Sequence, residues 1–260
     1  MKFYHFLLTA AAVLPPTIAT FNAYLLWDVP KGDVKNLTFP MNIANAPHDW
    51  GYNFAQQYQF SGQDFDESNR IDLQPCPDAS SGKSMIQATF STFTPGSSTD
   101  DKVHCTSEAD SSPGVRCSVE FEGTYDHTYN LTVRNTQDTT WIGTVVDTVT
   151  KREIHIGSYT LPAGTGNTLK FGSGYVSYWT WPPVPCNNLP YMSVVFGVPT
   201  TDAGVATLQD PWEMGTCEHH ANFKFTRTSD DGLEISAGFS SKVANVRFQH
   251  EGYSDIGNGM

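Results

Sequence analysis

Residues 115–161 constrain the fold most, because apolar and polar side chains alternate there in four short segments. In the first segment, the apolar residues that share one face are Val115, Cys117, Val119 and Phe121. Alternation with a period of two, rich in Val, Ile, Thr and aromatic residues, is typical of half-buried strands. The breaks are short and rich in turn residues, which favours antiparallel neighbours. The stretch therefore predicts a four-stranded meander with one face toward water.

The rest of the chain repeats this pattern of short strands and Gly/Pro/Asn turns, and no segment of useful length has a helical period. The further strands that we predict lie at 21–29, 52–60, 70–73, 85–93, 171–181, 191–198, 221–228, 233–239 and 243–248. Many short strands at regular spacing indicate an all-β fold, an antiparallel β-sandwich or jelly roll. We predict a single domain over 20–251 and a frayed tail at 252–260, with a division into two domains near residues 160–168 as the alternative.

The N-terminus is typical of a secretory signal peptide at 1–19. Lys2 supplies a positive charge, Phe6–Leu14 is a short apolar run, and Thr17-Ile18-Ala19 fits the small-x-small rule for cleavage after Ala19. We therefore expect a secreted, extracellular protein. Two glycosylation sequons begin at Asn36 and Asn130, and the strand alternation puts Asn130 on the polar face.

The five cysteines fit an oxidising compartment, where two disulfides and one leftover thiol are expected. Fifteen arrangements are open to them. A bridge between Cys105 and Cys117 is the most local one, because these residues bracket a Ser/Pro/Gly loop. Cys186 and Cys217 would then close the second half, which leaves Cys76 as the free thiol.

The charge balance is acidic, with 15 Lys and Arg against 27 Asp and Glu. This balance argues against nucleic acid and against an anionic membrane surface as partners. An extracellular glycan is the partner that we expect. The residues proposed to bind it are the clustered aromatics Tyr175, Tyr178, Trp179 and Trp181, whose rings would stack on sugar faces; core packing is the alternative.

Acid/base chemistry has a few candidates. Glu120 and Glu122 share a strand face about 6–7 Å apart, between the carboxylate separations of retaining and inverting glycosidases. Asp147 lies among apolar neighbours, which would raise its pKa. His127, after Asp126, and His48, beside Asp49, are possible general bases. A solvated polar face is the alternative for the carboxylates, and an ordinary surface position is the alternative for the histidines.

A lyase would need His127, Tyr129 and Arg134 to meet, which the sequence does not establish. We expect no metal and no cofactor, although oxygen-rich loops leave a structural calcium ion as an alternative; these loops are Asp100-Asp101 and Glu108–Asp110. Motifs for a nucleophile elbow, a zinc peptidase, a phosphate loop or a dinucleotide are absent from the sequence.

Five motifs stand in an order that resembles a secreted domain family of bacteria and fungi whose function is not established. They are ATFSTF (88–93), CTSEADSSPGVRC (105–117), HTYNLTV (127–133), WIGTVVDTVT (141–150) and HIGSYTLP (155–162). The resemblance implies a concanavalin-like β-sandwich that often occurs beside carbohydrate-active modules. This chain departs from the family's glycine-aromatic run at Arg70–Gln74.

These observations favour a secreted β-sandwich that binds a cell-wall carbohydrate. A polysaccharide hydrolase or lyase on the same scaffold is the first alternative. A surface or host-interaction protein without activity is the second.

Overall fold

A computed structural model describes residues 20–63, 68–107, 113–180 and 182–239. Besides one 3-10 turn at Cys186–Asn188, the regular elements in these ranges are strands. In chain order they are β1 (Phe21–Asp28), β2 (Asn36–Asn42), β3 (Tyr52–Phe60), β4 (Asn69–Cys76), β5 (Met85–Thr92), β6 (Cys105–Ser107), β7 (Val115–Glu122), β8 (Thr128–Gln137), β9 (Thr140–Asp147), β10 (Glu153–Thr160), β11 (Thr168–Tyr178), β12 (Met192–Phe196), β13 (Thr200–Thr201), β14 (Gly204–Val205), β15 (Thr207–Leu208), β16 (Trp212–Met214), β17 (Lys224–Arg227) and β18 (Leu233–Ala237).

The strands form two sheets. Sheet A has the order β15-β1-β11-β3-β4-β5-β7-β6, and β16 also pairs with β1. Sheet B has the order β10-β9-β8-β2-β12-β18-β17, and the β13–β14 hairpin also pairs with β2. Neighbouring strands in both sheets are antiparallel. The fold is thus the antiparallel β-sandwich that the alternation predicts.

Aromatic rings from both sheets meet in the core between them. Phe90 of β5 stacks on Tyr159 of β10 with centroids 4.4 Å apart. Phe60 of β3 contacts Trp141 of β9 at 4.6 Å. Each such ring removes a large apolar area from water, worth about 1.5–3 kcal/mol. Four residues of the predicted meander that should face this core are buried: Leu131, Val133, Ile154 and Ile156.

The predicted four-stranded meander is wrong in one respect, because its first strand belongs to the other sheet. β7 pairs with β5 and β6 in sheet A, whereas β8, β9 and β10 form a three-stranded meander in sheet B. The connection at 123–127 therefore crosses between the layers, and it buries the Tyr125 ring on the way. Alternation alone does not distinguish this crossover from a hairpin.

Four loops meet at one end of the sandwich. They are the loops at 43–51 (β2–β3), 77–84 (β4–β5), 123–127 (β7–β8) and 148–152 (β9–β10). The register of the strands places them together, because Cys76, Met85 and Glu122 are opposite one another in sheet A. In sheet B, Asn42 is opposite Thr128 at the same end.

The predicted signal peptide at 1–19, Trp181, the acidic residues Glu108–Asp110, the strand at 243–248 and the tail at 252–260 lie outside the described residues. No helix within the described ranges has the length and apolar character needed to cross a membrane.

Candidate functional site

The four end loops enclose an open cleft of about 620 Å³. Its chemically active lining residues are His48, Lys83, Ser84, Glu122, Asp147 and Arg152. A concave site with a few convergent polar groups is the usual place for ligand binding or catalysis. We refer to it below as the end cleft.

His48 is held as a histidine–aspartate pair. Its Nδ1 lies 2.6 Å from Oδ1 of Asp78, and its ring stacks on Tyr125 with centroids 4.0 Å apart. A carboxylate on Nδ1 favours the tautomer that leaves Nε2 as a proton acceptor. The hydroxyl of Ser84 lies 3.4 Å from the same Nδ1, so Ser84 and Asp78 do not occupy opposite ring nitrogens as a serine triad requires. The sequence placed His48 beside Asp49, but Asp49 instead accepts a hydrogen bond from the amide of Trp50.

Glu122 is the member of the predicted glutamate pair that lies in the end cleft. Its carboxylate forms an ion pair with Lys83, with Oε2 2.5 Å from Nζ. Arg152 donates a hydrogen bond from Nη1 to the carbonyl oxygen of Glu122 at 3.2 Å. Glu120 is on the same face of β7 but points toward Gln87, at 3.5 Å, outside the lining. The two glutamates therefore have different surroundings.

Asp147 is buried and paired with His127, and its Oδ2 lies 2.8 Å from Nδ1 of that histidine. Burial by itself raises the pKa of Asp147. The hydrogen bonds from His127 and from the amides of Thr150 and Val149 outweigh burial and hold the pKa at about 2. The expectation of a raised pKa is therefore wrong, and Asp147 is a poor proton donor at neutral pH. His127 is not among the residues that line the end cleft. Its partner Asp147 accepts hydrogen bonds from the amides of Val149 and Thr150 in the 148–152 loop.

The proposed lyase set is not brought together. Tyr129 is buried in the core and donates a hydrogen bond to the carbonyl of Thr124. Arg134 is exposed in β8, seven residues beyond His127, which precedes the strand, so the two residues are about 23 Å apart at the rise of a strand.

Of the four predicted sugar-binding aromatics, the three within the described residues do not form one platform. Tyr178 is buried in the core, where its ring lies 4.6 Å from that of Tyr52. Tyr175 is on the outer face but is buried beneath Tyr24, with centroids 5.8 Å apart. Trp179 is 62% exposed, beyond the end of β11. The prediction fails for the two tyrosines because strand position does not reveal what covers a ring.

The outer face of sheet A carries a different aromatic group. Trp212 of β16 stacks on Tyr24 of β1, with centroids 6.0 Å apart, and Trp212 is 41% exposed. Four residues that are opposite one another on neighbouring strands form a row across this sheet: Tyr24, Tyr175, Ala55 and Asp72. The Asp72 carboxylate is fully buried within this row.

Neighbouring polar side chains surround the Asp72 carboxylate. Gln74 donates to its Oδ1 at 3.0 Å, Thr89 donates to its Oδ2, and Nε of Arg70 lies 3.4 Å from the same Oδ2. We call the row and these partners the outer-face row. The sequence singled out Tyr175 but did not predict this row as a group, because its members come from several separate strands.

Cys105 is bonded to Cys117 and Cys186 to Cys217, the pairs that the sequence favours. Cys76 is a buried free thiol, and burial raises its pKa to about 12, with a smaller contribution from Glu120. Burial therefore disfavours the thiolate, which is the reactive form of cysteine.

Of the two sequon residues, Asn36 is exposed at the start of β2 and Asn130 is half-buried in β8. Glycosylation of both residues stays a prediction. Of the acidic residues in the loops considered for calcium, Asp100 is exposed, and Asp101 directs its carboxylate oxygens at His104 and His155. A nitrogen-rich set of neighbours does not suit calcium, which takes oxygen ligands.

Three of the groups in the end cleft were not singled out from the sequence: Lys83, Ser84 and Arg152. Each lies in a loop next to a strand end, and isolated loop residues carry no periodic signal. Only the order of the strands brings them beside Glu122 and His48.

No protein-family model matches this chain, and no curated protein matches it. Solved structures similar to it include a Scytalido-glutamic peptidase with a peptide-based transition state analog, at 9% identity and a TM-score of 0.48. The same peptidase with a transition state analog inhibitor is 10% identical, also with a TM-score of 0.48. SCP-B, a member of the Eqolisin family of peptidases in complex with the tripeptide Ala-Ile-His, is 9% identical with a TM-score of 0.46. Each comparison covers 85% of this chain and 99% of the other. Structural similarity at this level gives no information about the roles of the residues in the end cleft.

Proposed function

We propose that this protein is an extracellular hydrolase whose reaction takes place in the end cleft. The observation that carries the proposal is the His48–Asp78 pair beside the Glu122–Lys83 pair in one open cleft. The two disulfides fit an oxidising compartment outside the cytosol.

In the proposed mechanism, His48 is the general base. Nδ1–H donates to Asp78, and Nε2 accepts a proton from the attacking water. Asp78 stabilises the imidazolium that forms, and the protonated ring then returns the proton to the leaving group. Arg152 and Lys83 supply positive charge for the carbonyl oxygen of an ester or amide group, which becomes negative when water attacks the carbonyl carbon. Glu122 forms an ion pair with Lys83 and orients it.

The substrate class that we propose is an extracellular polysaccharide that carries ester groups, because this mechanism needs a carbonyl carbon and a glycosidic bond offers none. Most of the residues that line the end cleft have polar or charged side chains, which suit the hydroxyl groups of sugars. Lys83 and Arg152 would neutralise acidic sugars in particular. Because an aspartate-backed histidine also serves amide hydrolysis, protein substrates belong in the same test.

The test compares the wild type with His48→Gln and Glu122→Gln on soluble and insoluble polysaccharides and on a denatured protein. Release of carboxylic acids from the polysaccharides and of peptides from the protein is measured in parallel. We expect release from one substrate class, with kcat lowered by about 10²-fold or more in His48→Gln, since general base catalysis contributes about 10²–10⁴. We expect a smaller loss in Glu122→Gln.

Glu120→Gln is the matched control, because Glu120 is on the same face of the same strand and outside the end cleft. It should keep wild-type activity. Folded protein that releases nothing from any substrate, or His48→Gln that retains full activity, would refute the proposal.

A second candidate function is carbohydrate binding along the outer face of sheet A. The observation that favours it is the exposed aromatic Trp212, stacked on Tyr24 at the end of the outer-face row. Exposed aromatic and apolar side chains beside hydrogen-bonding groups are common in recognition surfaces.

A further inference from the structure

Asp101, His104 and His155 bring three potential metal ligands together at an edge of the sandwich. Their ligating atoms all lie within 4.8 Å of one another. Oδ1 of Asp101 is 3.0 Å from Nδ1 of His104, and Oδ2 is 2.7 Å from Nε2 of His155. The two imidazole rings meet edge to face with centroids 5.1 Å apart. Both rings therefore direct a nitrogen at the same carboxylate.

Backbone contacts hold this group in place. The amide of Cys105 donates to the carbonyl of Asp101 at 2.9 Å, and the amide of Asp101 donates to the hydroxyl of Thr99 at 3.0 Å. The Thr99 hydroxyl in turn donates to the carbonyl of Ser158 on β10, at 2.7 Å. The turn before β6 is thus docked on the strand that carries His155. Ligands held by secondary structure and a docked turn are preorganised for an ion.

The kind of donor atom selects the ion. Two imidazole nitrogens and one carboxylate oxygen are ligands that suit zinc, whereas calcium takes six to eight oxygens. Ligand atoms at about 2.0–2.1 Å from a tetrahedral zinc ion lie about 3.4 Å apart. The ring nitrogens of His155 and His104 are now 2.7 Å and 3.0 Å from the carboxylate oxygens of Asp101, so each pair of atoms needs to separate by only about half an ångström. The His155 side chain is 43% exposed, so solvent has access to a fourth position.

We propose that Asp101, His104 and His155 bind a zinc ion, with water as the fourth ligand. The ion replaces the hydrogen bonds between these groups, and each histidine coordinates through a neutral ring nitrogen. Because the turn precedes edge strand β6 of sheet A and His155 is on edge strand β10 of sheet B, the ion fastens the two sheets together. This site is separate from the end cleft and does not rest on the proposed hydrolase activity.

The test uses the full-length secreted protein after chelation and dialysis. Isothermal titration with Zn²⁺ should show one ion per chain, and excess Zn²⁺ should raise Tm by several degrees, since a ligand that binds only the folded state stabilises it. Co²⁺ in place of Zn²⁺ should give the visible absorption bands of a tetrahedral site. His155→Gln and Asp101→Asn should each weaken Zn²⁺ binding by at least about tenfold and remove the rise in Tm.

His127→Gln is the matched control. His127 also pairs with an aspartate, Asp147, but that pair contains one histidine where the proposed zinc site has two. It should bind Zn²⁺ as the wild type does. Circular dichroism of each metal-free variant checks that the fold is intact. A wild type that binds no Zn²⁺ would overturn the proposal, as would undiminished binding by the folded His155→Gln and Asp101→Asn variants.

Discussion

At the scale of single residues, Asp147 makes a pH-dependent contribution to stability. Its pKa in the folded protein is about 2, below the ordinary value of 3.8, so the folded state favours the ionised carboxylate. This contribution is fully present above pH 4 and is lost as the pH falls toward 2. We predict that the wild type loses on the order of 1 kcal/mol more unfolding free energy between pH 5 and pH 2 than Asp147→Asn does.

Urea unfolding at pH 5, 4, 3 and 2 measures this difference. The asparagine keeps an oxygen that can accept from the amides of Val149 and Thr150, so the turn is retained while the charge is removed. Equal losses in the two proteins over this range would show that Asp147 is not the group that titrates.

The sequence predicts the partner or the facing side of a residue well where a covalent or periodic constraint acts on that residue. Cys105 and Cys117 were paired correctly, because a short loop separates them. The pKa of Asp147 was predicted in the wrong direction, because alternation reports which face a side chain is on and not which donors surround it. The partner of His48 was missed for a similar reason, since Asp78 is thirty residues away and approaches only in the folded chain.

At the scale of elements, the two disulfides should stabilise the fold unequally. Cys105 and Cys117 are twelve residues apart and opposite one another on paired strands, whereas Cys186 and Cys217 are thirty-one residues apart. In the chain-entropy description, a longer closed loop removes more freedom from the unfolded state. We predict a cost of about 4 kcal/mol for replacing Cys186 and Cys217 by Ala, and about 3 kcal/mol for Cys105 and Cys117.

Urea denaturation of the two double variants, each compared with the wild type, measures these costs. The Ala pairs avoid free thiols, so reshuffling with Cys76 does not affect the comparison. A larger loss for the Cys105/Cys117 variant would contradict the prediction and would indicate that the β6 edge depends on its bridge for packing.

Long alternating strands could be predicted from the sequence, and the shorter or interrupted ones could not. β1, β3 and β5 agree closely with the predicted ranges. β2 was missed because Pro40 interrupts its pattern, although its neighbours Phe39 and Met41 are buried in the core. The layer change between β7 and β8 was missed because a five-residue link fits a hairpin and a crossover equally well.

At the scale of the whole molecule, strand order creates sites that no single segment contains. The end cleft needs four loops from two sheets, and the outer-face row needs β1, β11, β3, β4 and β5 side by side. A sequence pattern predicts that a strand exists and which face is buried. The pattern does not predict which strands pair within a sheet when they are distant in the chain, because every alternating strand is compatible with many neighbours.

The last prediction tests the outer face of sheet A as a polymer-binding surface. If a polysaccharide lies along the outer-face row, the exposed ring of Trp212 contacts it, and Trp212→Ala should weaken binding by about threefold to tenfold. Trp179→Ala is the control, because Trp179 is 62% exposed but lies beyond the end of β11, away from the row. Affinity electrophoresis in gels containing each polysaccharide measures the retardation. Equal retardation of the two variants and the wild type would remove Trp212 from the binding surface, and loss in Trp179→Ala alone would move that surface to the end of β11.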